Sequence, residues 1–272
     1  MMIIKNKKGK ELTSLSKWEE GFKEVDELGE LHWAPGYSAH SLGLFFTTGA
    51  GEKWLNSLSE TLLGERVTWN DAQIEHESKL DRFKGTHRMQ DLALWGSLPS
   101  GESVFMAIEA KVLESFGERT LSEEYDETLR YQKEVKPTTR RPDRVRNVTA
   151  FLFPEKTPYD KEIRDLRYQL LYYFMGSILE APSYSESIRP LSQRKASVDI
   201  VLLPVLVFKT EHYYSDTDKG NSNKEDYSAF CQALGLRKEI IRGKECWIGE
   251  MKGKRIYSCY ETIEAELAAI ES

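Results

Sequence analysis

The chain has 272 residues, of which 40% are hydrophobic and 30% charged, enough apolar material for one sizeable core with at most a small appendage. A net charge of −6 excludes a globally basic nucleic-acid coat, so any phosphate contact has to come from a local patch. Cys231, Cys246 and Cys259 lie far apart without metal-ligand spacing, which suits reduced thiols in a cytoplasm.

The first ten residues, MMIIKNKKGK, lack the apolar centre of a signal peptide, and no run approaches membrane-spanning length, so a cytoplasmic location is expected. Leu15, Trp18, Phe22 and Val25 recur at helical spacing and predict a helix over residues 13–29, with Thr13 or Ser14 as its cap. This gives an N-terminal helical extension over residues 1–30 and one domain over 31–272. A second helix is expected over 38–48, a break at Gly49-Ala50-Gly51, and a third helix over 52–63 with Trp54, Leu55, Leu58 and Leu62 as its apolar face. His32, Trp33 and His40 are candidates for a substrate groove, although core packing and a surface histidine explain them more simply.

Residues 66–79 alternate in part, and Glu75 and Glu77 share a face there. Next comes MQDLALWG, a short strand carrying Asp91, then a turn over residues 96–101, then the apolar strand VFMAIEAKVLE over 104–114. Strand side chains alternate faces, so Glu109 and Lys111 project from the same side, together with Phe105 and Ala107. Charges inside an apolar run are costly unless they are used or paired. Two close carboxylates make a hard oxygen site for Mg²⁺ or Mn²⁺, and a lysine on the same face can orient water or hold a phosphate.

After this strand the chain is polar from Gly117 to Arg146 and contains the basic run KPTTRRPDRVR over residues 136–146. Arg140, Arg141 and Arg144 in that run are candidates for phosphate contact, since guanidinium groups match phosphate oxygens. A strand is expected over 148–153, then a long helix over 160–179 with Ile163, Leu166, Leu170, Phe174 and Ile178 on its buried face. An apolar central strand is expected over 197–209, with a bulge or break at Pro204. A loop over 217–223, a helix over 224–234 and strands over 245–251 and 255–260 complete an α/β domain with a mixed sheet flanked by helices.

Asp91 with Glu109-Ala110-Lys111 resembles the PD-(D/E)xK, or restriction-endonuclease-like, nuclease superfamily, although Gln90 stands where that family's proline usually precedes the aspartate. More narrowly, Glu109, Lys111 and Glu114-Ser115-Phe116-Gly117 resemble a poorly characterised prokaryotic group. The same resemblance extends to His32-Trp33 with Tyr37-Ser38-Ala39-His40-Ser41, to Leu166 through Leu171, and to Asp226 through Leu236. It implies a restriction-endonuclease-like core and metal-dependent hydrolysis of phosphodiesters, in DNA in preference to RNA. Asp91 and Glu109 would bind the metal with the carbonyl of Ala110, and Glu77 or its equal rival Glu75 would add a third carboxylate. Lys111 would position or activate water, Gln169 would be an accessory site residue, and Arg167 a phosphate ligand or a partner for an acid. Restriction or defence against foreign DNA follows by association, and a homodimer is left open. A nuclease-derived binding or regulatory module without turnover is the alternative. An unrelated metabolic enzyme would need a Gly-rich phosphate loop, a nucleophile elbow or a zinc motif, none of which the sequence contains.

Overall fold

The computed structural model describes residues 2–24, 33–83, 85, 87–214 and 217–264. Its centre is a mixed sheet of eight strands in the order β1-β2-β3-β4-β5-β8-β7-β6. The strands are β1 (Ile4–Lys5), β2 (Thr68–Ser78), β3 (Arg88–Ser97), β4 (Ser103–Lys111), β5 (Ile200–Lys209), β6 (Arg237–Ile241), β7 (Lys244–Met251) and β8 (Lys254–Glu264). β2, β3 and β4 form an antiparallel meander, whereas β4–β5 and β5–β8 are parallel pairs.

The period of 2 in β3 and β4 builds two cores. Ala93, Trp95, Phe105 and Ala107 pack on one face against α4 (Leu121–Glu134), α5 (Arg141–Leu152), α6 (Tyr168–Ile178) and α9 (Thr217–Ala233). Leu92, Leu94, Met106 and Ile108 pack on the other against α1 (Leu15–Lys23), α2 (Ser38–Thr47) and α3 (Ala50–Leu63). Ser14 caps α1 by accepting from the Lys17 N–H, and Trp18 and Phe22 bury in the same core as α2 and α3. Ile4 also pairs with Ala72, so β1 and α1 are built into the sheet and core. Short helices α7 (Tyr184–Ser187) and α8 (Glu211–Tyr214) fill connections.

Several expectations are corrected. Residues 148–153 fall in or at the end of α5: Val145, Val148, Thr149 and Leu152 are its buried face, and Pro142 starts it at a position where a missing N–H costs nothing. The polar stretch before it contains α4, opened by a capping box between Thr120 and Glu123. The helix expected over 160–179 begins at Tyr168 with Arg167 as its N-cap, while Ile163 and Leu166 reach the same core from turns. Residues 217–223, expected as a loop, form the first part of α9, and β6 is an additional strand.

Pro204 does not end β5, but the β4–β5 ladder skips from Met106↔Leu202 to Glu109↔Val205 beside it. The buried Tyr173 hydroxyl fills the gap, sharing its one proton between the carbonyls of Ala107, at 2.7 Å, and Pro204, at 3.2 Å. The interruption falls immediately before Glu109.

Candidate functional site

β3 and β4 are in register from Ser97↔Ser103 to Leu92↔Ile108, so the next opposed residues are Asp91 and Glu109. Asp91 Oδ2 accepts from the N–H of Ala110 at 2.7 Å, which ties the two strands together beyond their last paired residues. Glu109 is 1% exposed. Its Oε2 faces the Arg88 guanidinium, and its Oε1 accepts from Lys111 Nζ at 2.9 Å and from Gln169 Nε2 at 2.8 Å. Gln169 lies in the first turn of α6, and the loop after β4 turns beside it at Gly117, whose φ of +75° favours glycine.

On β2 the pairs Ile74↔Leu92 and His76↔Gln90 leave Glu75 opposite Asp91. Glu75 has φ +50°, in the left-handed region that side chains avoid. Alternation changes face at this point. Gln73 and His76, three residues apart, are hydrogen bonded at 3.0 Å, and Gln90 reaches Ser177 of α6 while Leu92 packs in the opposite core. Gln90, immediately before Asp91, is thus a buried anchor for α6. Glu75 lines the site cavity, whereas Glu77 lies opposite Met89 and accepts from the His87 N–H at 3.4 Å. Of the two rival acids the structure therefore brings Glu75, not Glu77, beside Asp91.

The cavity, about 560 Å³, has a mixed lining. Glu75, Arg88, Asp91, Lys111, Glu114 and Gln169 are its polar residues, and Trp18, Phe22, Tyr37, Leu42 and Ile74 its apolar ones. Glu114 is fixed by Ser38, whose hydroxyl and N–H donate to its Oε1 at 2.8 and 3.3 Å, and by the Val112 N–H at 2.6 Å on Oε2. Asn223 of α9 donates to the Glu114 carbonyl at 2.9 Å, and Arg167 pairs with Asp226 at 2.8 Å. Segments around Ser38, Glu114, Arg167 and Asp226, distant in sequence, thus close around the same strands.

Burial, with the nearby Glu109 carboxylate, pushes Asp91 up to about 7, against the pull of Arg88 and Lys111. Burial also raises Glu109, but Arg88 and Lys111 outweigh it and hold Glu109 below the usual carboxylate range. Among the described residues no three His, Cys, Asp or Glu side chains converge closely enough to hold a metal by themselves. The donor set nevertheless fits Mg²⁺, which binds through one or two carboxylates and completes its shell with water and substrate phosphate. Asp91 and Glu109 would hold such an ion, and Glu109 would have to share or release Arg88 to do so.

The basic run behaves differently from expectation. Arg144 is 7% exposed and bidentate to Asp81, at 2.8 and 3.0 Å, and also donates to the Phe83 carbonyl. Arg140 pairs with Asp143 and lies 4.5 Å from the Phe83 ring centre, and Arg141 lies 4.6 Å from that of Tyr131. None of the three lines the cavity. Arg167 serves Asp226 rather than Glu162 or Asp165. Trp33 is buried with the His40 ring against it at 5.5 Å, as core packing requires, and His32 lies outside the described residues. The residue sequence reasoning missed is Arg88. It shares a strand with Asp91 three positions on, but read as the boundary of an apolar run.

Residues 11–262 match the family described as "Domain of unknown function (DUF6946)". No curated protein and no solved structure matches the chain.

Proposed function

The chain belongs to the DUF6946 family, and we propose from its site that it is a metal-dependent phosphodiesterase acting on nucleic acid, DNA in preference to RNA, on a restriction-endonuclease-like core. The observation that carries this reading is that Asp91, Lys111 and Gln169, from two strands and one helix, line one cavity, with the buried Glu109 bonded to Lys111 and Gln169 behind them. A bound Mg²⁺ or Mn²⁺ supplies an acidified water and charge neutralisation at phosphate. Asp91 and Glu109 hold the ion. Lys111, kept in place by Glu109, presents a compact cation to a phosphate oxygen or to the attacking water. Gln169 keeps the Glu109 carboxylate oriented. A cytoplasmic setting and a part in restriction or defence are extensions of the same resemblance.

The test is incubation of the purified chain with end-labelled single-stranded DNA, duplex DNA and RNA in Mg²⁺, Mn²⁺ or chelator. Metal-dependent cleavage is expected, and it is expected to be lost in Lys111→Ala with the circular dichroism of the fold unchanged. Cleavage that survives this substitution would move the chemistry elsewhere in the molecule.

A second reading has its own observation. Arg88, Lys111 and Gln169 already satisfy both oxygens of Glu109, as a purely structural ion pair would be satisfied. On that reading the chain is a non-catalytic binding or regulatory module. Binding without cleavage in either metal would select it.

A further inference from the structure

The cavity beside Lys111 combines charged and aromatic side chains, and that combination constrains what fills it. Glu75, Arg88, Asp91, Lys111 and Glu114 line it together with Trp18, Phe22 and Tyr37. Its volume of about 560 Å³ lies within the range of sites for small organic molecules. Of the aromatic lining, Trp18 and Phe22 are buried in the core, whereas Tyr37 is 47% exposed.

We infer that the cavity takes one unpaired nucleotide, so that the substrate is single-stranded DNA or a frayed end rather than continuous duplex; this rests on the phosphodiesterase reading above. A phosphate held near Arg88 and Lys111 leaves its base to be placed, and the exposed Tyr37 ring in the same lining is the complementary surface for a base face. In a duplex that base is stacked and paired, so it reaches such a recess only at the cost of extrusion. The cationic groups point the same way. Continuous duplex binding draws on a track of free Lys and Arg along the phosphates. Here Arg140 and Arg146 pair with Asp143, Arg144 with Asp81 and Arg167 with Asp226, so these arginines are already matched within the fold.

The experiment compares one short DNA sequence as a single strand, as a duplex, and as a set of single strands each carrying one abasic position, with wild type in Mn²⁺. Both cleavage rate and binding by anisotropy are read. The single strand should be cleaved at least about 10-fold faster than the duplex. One abasic position should reduce cleavage about 5- to 150-fold, the loss expected when a base-stacking contact is removed. Tyr37→Ala, whose side chain makes no capping bond to α2, should lower cleavage of the intact strand but not of the strand abasic at that position. Equal cleavage of duplex and single strand, with no abasic position mattering, overturns the inference and leaves the phosphodiesterase reading standing. No cleavage and no binding of any strand overturns both.

Discussion

Replacing Arg88 by methionine keeps an unbranched stem at the start of β3 and removes the guanidinium that faces Glu109 Oε2. The cost can be bounded from the contacts that survive. Stripping the partner from a buried charge and leaving it alone costs about 3–5 kcal/mol. Glu109 is not left alone, because Lys111 at 2.9 Å and Gln169 at 2.8 Å remain on Oε1. The loss is then closer to that of one hydrogen bond to a charged group, about 2 kcal/mol. At about 2–4 °C per kcal/mol for a domain near this size, Tm should fall by roughly 4–8 °C in metal-free buffer.

Divalent metal should reverse the loss. An ion bound between Asp91 and Glu109 replaces the missing positive charge, and at 100 times its Kd it stabilises the fold by about 2.7 kcal/mol. In the wild type the same ion competes with Arg88 for Oε2, so its stabilisation is smaller at equal concentration. Thermal unfolding followed by near-ultraviolet circular dichroism, with MgCl₂ or MnCl₂ titrated at fixed ionic strength, reads both quantities. A variant as stable as wild type without metal, or a metal response identical in the two proteins, would refute the idea that Arg88 holds the place of the ion.

Asp91, pushed up to about 7 chiefly by burial and by Glu109, remains protonated in the fold at pH values where the unfolded chain has lost that proton. Its contribution therefore favours the fold below the ordinary carboxylate range and is lost as pH rises toward 7. Asp91→Asn should flatten that decline between about pH 4 and 7, by at most about 4 kcal/mol at about 1.4 per pH unit, while weakening metal binding. A decline of unchanged slope in urea unfolding across that range would remove Asp91 as its source. Arg144→Ala leaves the Asp81 carboxylate without its bidentate partner in a largely buried setting and should cost about 3 kcal/mol of stability. The same substitution should leave nucleic-acid affinity and its salt dependence unaltered, and a smaller salt slope would restore Arg144 as a phosphate contact.

How far the site was legible depends on the range of the interactions that built it. Glu109 and Lys111 share a face because β4 keeps a strict period of 2, and Asp91 comes opposite Glu109 because a tight turn ending at Gly101, φ +91°, fixes the hairpin register. Both are local rules and both could be read from the residues. The choice between Glu75 and Glu77 could not. One residue at φ +50° reverses the alternation, and nothing in QIEHES announces a left-handed glutamate. Helix α5 was readable in principle: Pro142 and Asp143 at its start and apolar side chains at 145, 148 and 152 are helical signals that the β-branched valines obscured. The basic run misled for a different reason. Arg144 finds Asp81 across 63 residues of sequence, and Arg167 finds Asp226 across 59. A cluster of arginines announces a need for anions without saying whose, and only the placement of the chain's own carboxylates shows how much of that need is left for a substrate.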